Sequence, residues 1–216
     1  MNTKVLACET LRDELEMAIE KTESTFEVHW VISGLHSFPD RLRATLQHQL
    51  DNMEDCGRVL MAFGGCNNST VGVNTGNKEL IFPKVDDCIS MLIGSAKERI
   101  KLGGESTHFV TPGWLRGEFN AREIYTYVTE KYGEKTGNLM AKRMLHQYKH
   151  IGLLDDGSYH LESFLPTFHK LSSDLKLEEQ ICPASIQYLC NLLTGPWAPD
   201  RFNVFPPRFT IQNFPV

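Results

Sequence analysis

Short apolar runs alternate with amphipathic stretches through the first half of the chain, and three of those runs lead into a cysteine. Val5-Leu6-Ala7 runs into Cys8. Val59 to Phe63, followed by Gly64-Gly65, runs into Cys66. Leu80-Ile81-Phe82 and the turn-like Pro83 to Asp87 run into Cys88. Each run reads as a buried strand with its cysteine at or just beyond the carboxyl end. Phe26 to Ile32 reads as one more strand. Between the strands the apolar period lengthens to that of a helix. Leu11, Leu15, Ala18 and Ile19 share one face, Leu42, Leu46, Leu50 and Met53 a second, and Ile89, Leu92, Ile93 and Ala96 a third. Strand–helix alternation of this kind builds parallel strands joined by right-handed crossovers. The expected fold is α/β: a mostly parallel open sheet with helices on both faces, in three α/β/α layers. The carboxyl ends of such strands share one edge, which is where open α/β sheets build their sites.

The second half continues less regularly. His108-Phe109-Val110 reads as a strand, ended by Pro112-Gly113-Trp114. The stretch from Asn120 to His150 reads as a helical excursion of two helices broken near Gly133. Ile151 to Leu154 is a strand, Leu161 to Leu175 a helix, Gln180 to Cys182 a strand, and Pro183 to Leu193 a helix. The Pro- and Phe-rich tail, Phe202 to Pro215, is expected to pack irregularly. The 216 residues can bury a proper core. They are expected to form a single α/β domain over 1–216, with sub-lobes 1–104 and 105–216 as the alternative division.

Composition narrows the partners. The formal net charge is −5 and there is no basic run, which argues against nucleic acid and against an anionic membrane surface. No apolar stretch reaches the length of a membrane span, and the N-terminus lacks a signal-peptide core. A cytoplasmic location is expected, where thiols stay reduced. Six cysteines then point to metal ligation, redox chemistry or plain burial rather than to disulfides.

Thiolates bind soft and borderline metals, and a helix N-terminus lowers a thiol pKa. Cys8 and Cys88 both stand at expected helix starts, and Cys66 lies in a Gly-Gly-Cys-Asn-Asn-Ser loop whose amides can face a ligand. Cys8, Cys66 and Cys88 are therefore the candidate metal and cofactor ligands. Their long spacings match neither ferredoxin nor zinc-ribbon patterns, and a small buried hydrophobe is the competing role for each. Cys182 ends a strand before Pro183, and is either a fourth ligand or a residue across the sheet edge. Cys190 shares a helical face with Ile186, Leu189 and Leu193 and reads as core. Cys56 lies in an acidic turn and reads as exposed.

Glu9 adjoins the proposed site and Lys84 precedes Cys88, so both are candidate catalytic groups for proton transfer. Asp87 suits an N-cap. Ser69 and Thr70 suit either anion binding or a turn, and Trp114 either a pocket wall or core. His146 and His150 stand one helical turn apart without the glutamate of a metalloprotease motif, and there is neither a dinucleotide fingerprint nor a P-loop.

The segments VLACETLRDEL at 5–15, FGGCNNSTVG at 63–72, IFPKVDDCISMLIGS at 81–95, FVTPGWL at 109–115 and MLHQYKHIGLLDDGSY at 144–159 carry a resemblance covering nearly the whole chain. They resemble the domain of unknown function 1638 family of anaerobic bacteria and archaea, whose genes often neighbour corrinoid-dependent methyltransferases. The family's cysteines map onto Cys8, Cys66 and Cys88. The chain departs from its pattern in two places: Phe63-Gly64-Gly65-Cys66-Asn67 stands where the family usually has Tyr-Gly-x-Cys-Gly, and Asp86 where it often has His. The resemblance implies a shared cysteine site and no established reaction.

Three functions are expected from these readings. The leading one is a [4Fe–4S] cluster held by three cysteines, with one iron left open for a small-molecule substrate and desulfidase- or lyase-like chemistry. The second is a three-thiolate Zn²⁺ site for thiol or methyl transfer. The third is a non-catalytic accessory whose partner is a corrinoid protein or methyltransferase.

Overall fold

The computed structural model describes residues 2–66, 68–117 and 121–213. Asn67, Asn120 and the Phe214-Pro215 end of the tail lie outside the described residues. The chain is α/β with mostly parallel sheets. Strand β1 (Thr3–Cys8) stands between β2 (Glu27–Val31) and β3 (Arg58–Ala62), and β4 (Glu79–Pro83) follows β3; all four run parallel. Covered on both faces, β1 and β3 show unbroken apolar runs rather than alternation.

The helices follow the sequence periods. Helix α1 (Arg12–Thr22) buries Leu15 and Ala18, and with them Glu14. Helix α2 (Pro39–Asp51) starts on a proline and buries Leu42, Leu46 and Leu50. The helix expected from Cys88 to Ile100 is two, α3 (Cys88–Ile93) and α4 (Ala96–Lys101). Gly94 ends α3 in the left-handed region, and the Ser95 hydroxyl accepts from the Glu98 N–H to start α4.

The chain steps from β1 to β2, then crosses back over β1 to reach β3. Right-handed crossovers in opposite directions place α1 and α2 on opposite faces of the sheet. The connections leaving β1 and β3 therefore part company, which opens a crevice at the carboxyl ends of these two neighbours. Cys8 is the last residue of β1, and Cys66 lies just past the end of β3.

The second half corrects the expectation of one sheet. Strands β5 (Thr107–Val110), β6 (His150–Asp155) and β7 (Glu178–Pro183) form a separate parallel sheet in that order. The free edge of β4 is taken by β8 (Phe202–Phe205), which pairs antiparallel through Leu80–Phe205 and Pro83–Phe202. The first four residues of the tail expected to be irregular are thus an edge strand, which closes the place where β5 would have joined; the described residues after Phe205 form no further strand.

Helix α5 (Pro112–Arg116) follows β5, and the excursion folds as α6 (Ala121–Tyr132) and α7 (Glu134–Met144), parted at Gly133 with a φ of 82°. Helix α8 (Leu161–Leu175) covers one face of the second sheet with Phe168, Leu171 and Leu175 against Val110, Ile151 and Leu153. Phe109, Leu154 and Cys182 belong instead to the main core, which includes α9 (Gln187–Thr194). No described helix is long and apolar enough to cross a membrane.

Candidate functional site

Cys8 ends β1 and leads into a tight turn at Glu9–Leu11. Cys88 begins α3, with the Asp87 carboxylate accepting from the Ser90 N–H at 2.7 Å as its cap. Cys66 is held by the loop after β4. The Gly65 N–H donates to the Val85 carbonyl at 2.9 Å, and the Cys66 N–H to the Asp86 carbonyl at 2.8 Å. Only glycine fits beside this seam: a Cβ on Gly64 would meet the Asp87 backbone at 2.4 Å. Cys66 itself adopts a left-handed φ of 43°, a costly conformation for a residue with a side chain.

The three cysteines come together. Cys88 lies near enough to both the Cys66 thiol and the Cys8 thiol for each to shift its neighbour's ionisation. Each is buried yet reaches the same cavity, with exposures of 9% for Cys8, 9% for Cys66 and 7% for Cys88. Contact with Cys88, then burial, pushes the Cys8 thiol well above its usual range, against an opposing pull from the Thr10 hydroxyl and amide. Contact with Cys66 and burial do the same to Cys88. This corrects the expectation that helix starts would lower these thiols. Burial and the neighbouring sulfur outweigh a one-and-a-half-turn helix. Three thiolates are compatible with this corner only if a cation neutralises them. Among the described residues, no group of three or more His, Cys, Asp or Glu is placed so that it could hold a metal ion as the side chains stand. The three thiols would have to reorient to surround one.

The cavity encloses about 570 Å³ between the carboxyl edge of the first sheet and the second sheet. Cys8, Cys66, Cys88, Gly65 and Asp87 form one wall; Thr107, His108, Phe109, Trp114 and Tyr148 form the other. Trp114 is thus a cavity residue. Its ring meets His108 edge-on at 4.9 Å, and Tyr148 packs on the same imidazole at 5.0 Å. Burial lowers His108 to about 4, and its Nε2 is buried without a hydrogen-bond partner, so the ring is neutral at neutral pH. His36, also on the lining, is lowered by burial, with Asp87 opposing. Arg99 reaches in from α4 and binds Asp87 at 2.8 Å and the Ser90 hydroxyl at 2.7 Å.

Other expected residues lie elsewhere. Glu9 pairs with Arg12 at 3.0 Å, Lys84 donates its backbone N–H to Arg201, and neither lines the cavity. Cys182 is inside β7, opposite Leu154, raised by burial to about 11 and away from the cavity lining. Cys190 packs in the core as expected. Cys56, expected to be exposed, is buried, its thiol donating to the Arg58 carbonyl at 3.0 Å. Sequence reasoning missed His36, Arg99, His108 and Tyr148. His108 carried a signal, since it opens a strand whose end faces the same region; Arg99 looked like an ordinary exposed helix residue.

No curated protein and no solved structure matches the chain significantly. One family description does, "Protein of unknown function (DUF1638)", over residues 30–193. The matched segment contains Cys66, Cys88 and the aromatic wall, while Cys8 precedes it. It spans well over half of the 216 residues, and the chain belongs to that family.

Proposed function

We propose that this is a metal-dependent protein in which Cys8, Cys66 and Cys88 hold a [4Fe–4S] cluster that leaves one iron open to a small molecule in the cavity. The observation that carries the reading is that Cys8, Cys66 and Cys88 line one wall of a cavity at the strand-order reversal. The donor set fits: three soft ligands, buried, with ionisation suppressed unless a cation is present. Cys182 and Cys190 stand apart from the lining, which supports a three-cysteine site over a four-cysteine one. When bound, such a centre supplies a Lewis-acidic position for a sulfur, oxygen or nitrogen donor. The chain's own residues do the rest. The seam from Gly65 and Cys66 to Val85 and Asp86 fixes the ligand spacing. Thr10 hydrogen-bonds the Cys8 sulfur and favours its thiolate. Phe109, Trp114 and Tyr148 restrict water beside the corner. Desulfidase- or lyase-like chemistry suits such an open position, with His108 a neutral imidazole on the lining.

The same three cysteines also suit a zinc site, since zinc in catalytic centres takes three protein ligands and keeps the fourth position open. Anaerobic purification with an absorption spectrum and metal analysis separates the two. A brown protein with iron and acid-labile sulfide supports the cluster. A colourless protein with stoichiometric zinc supports the thiolate-zinc reading for thiol or methyl transfer. A protein that takes up neither removes the basis for both, and leaves a non-catalytic accessory role.

A further inference from the structure

The charges and rings of the cavity say which small molecule suits it; the argument rests on the reading of this cavity as a small-molecule site. Arg99 is the one lysine or arginine among the described lining residues, and its guanidinium is engaged by Asp87 at 2.8 Å. Asp86 also lines the cavity, is exposed, and has no ion pair among the described residues. The cavity lining therefore carries one carboxylate, Asp86, without an ion-pair partner among the described residues. The second wall is aromatic. Trp114 and Tyr148 are half-buried there, and the Arg99 guanidinium already lies 5.6 Å from the Phe109 ring centre, so this wall packs against a cation. An unpaired carboxylate and aromatic rings lining one cavity together suit organic ammonium groups. Neither His36 nor His108 opposes it, since burial keeps both imidazoles neutral at neutral pH.

We infer that the cavity selects a small organic cation, and that an aminothiol is the class matching its whole lining: Asp86 and the aromatic wall suit the ammonium, and the cysteine corner suits the sulfur. An anionic thiol of the same size would face Asp86 without a free counter-charge.

Cysteamine and mercaptoacetate test this, since they share a thiol and a length and differ in charge. Both are titrated by calorimetry into the full-length protein, purified anaerobically with its metal, beside the sulfur-free ethylammonium ion. Cysteamine should bind about tenfold more tightly than mercaptoacetate, the size expected of one partly desolvated charge with ring contacts. Asp86→Asn should remove most of that preference, and Trp114→Leu should weaken cysteamine and ethylammonium more than mercaptoacetate. Cys66→Ser should weaken both thiols alike and leave the charge preference intact. Should Cys66→Ser change neither thiol while the preference persists, the metal reading falls and the cation inference stands. Equal or tighter binding of mercaptoacetate, a preference untouched by Asp86→Asn, or no binding of any of the three overturns the inference.

Discussion

Glu14 shows what a single buried side chain costs this protein. It is fully buried on α1, and neither carboxylate oxygen has a hydrogen-bond partner. Burial, with Asp156 nearby, raises it from 4.5 to about 8. The folded chain therefore keeps a proton that the unfolded chain releases. The contribution is fully present below pH 4.5 and is lost as pH rises through about 8. Glu14→Gln should flatten this decline, with a gain of about 3 kcal/mol at neutral pH. Urea unfolding at mildly acidic, neutral and alkaline pH checks it; parallel pH profiles for the two proteins would count against the assignment. Legibility at this scale was uneven. Cys8, Cys66 and Cys88 were readable because each follows an apolar strand run, and strand ends share an edge. Glu9 and Lys84 were chosen for nearness in sequence, but the backbone turns after β1 and β4 carry their side chains away from the lining. Thr10, one residue further on, is the one that reaches Cys8.

The seam between the loops after β3 and β4 is the element on which the cysteine corner depends. Gly64→Ala would drive a Cβ into the Asp87 backbone, which cannot yield as a flexible side chain could. The expected cost is about 2 kcal/mol, with reduced metal uptake, read by thermal unfolding and metal analysis. Wild-type stability and uptake in that variant would mean that the loops are not coupled. Strand β8 offers a second test. Phe202 is buried there and packs edge-on against Tyr188 at 5.2 Å. Phe202→Ala should cost about 3 kcal/mol, measured by denaturant unfolding, although an irregular tail would tolerate it. The early strands and helices were legible because they are long and strongly periodic. Strand β8 was not, because it is four residues long, ends beside Pro206-Pro207, and gains its partner only through β4, more than a hundred residues earlier. The break at Gly94 was missed because the apolar period runs on unbroken through it.

At the scale of the whole molecule, a mostly parallel sheet and a parallel one share one cavity. The first brings three thiols to it from three adjacent strands, and the second brings a neutral imidazole and an aromatic wall. The alternation of strands and helices made the α/β class and the first site wall readable. The split into two sheets was not readable, because local periodicity says nothing of which strand takes a sheet edge. The second wall stayed hidden with it, since Trp114 and Tyr148 both meet His108 only when β5 and the end of the α6–α7 excursion fold together. The central claim is that the thiols of Cys8, Cys66 and Cys88, which line one cavity wall, are one metal site. Its most direct test is iron, zinc and acid-labile sulfide per chain in anaerobically purified wild type and in single Cys→Ser variants at positions 8, 66, 88, 182 and 190, each checked for folding by circular dichroism. The account predicts that folded Cys8→Ser, Cys66→Ser and Cys88→Ser each lose most of the metal, while Cys182→Ser and Cys190→Ser retain it. Wild-type metal content in a folded Cys66→Ser or Cys88→Ser protein, or loss of metal from Cys182→Ser, would contradict it.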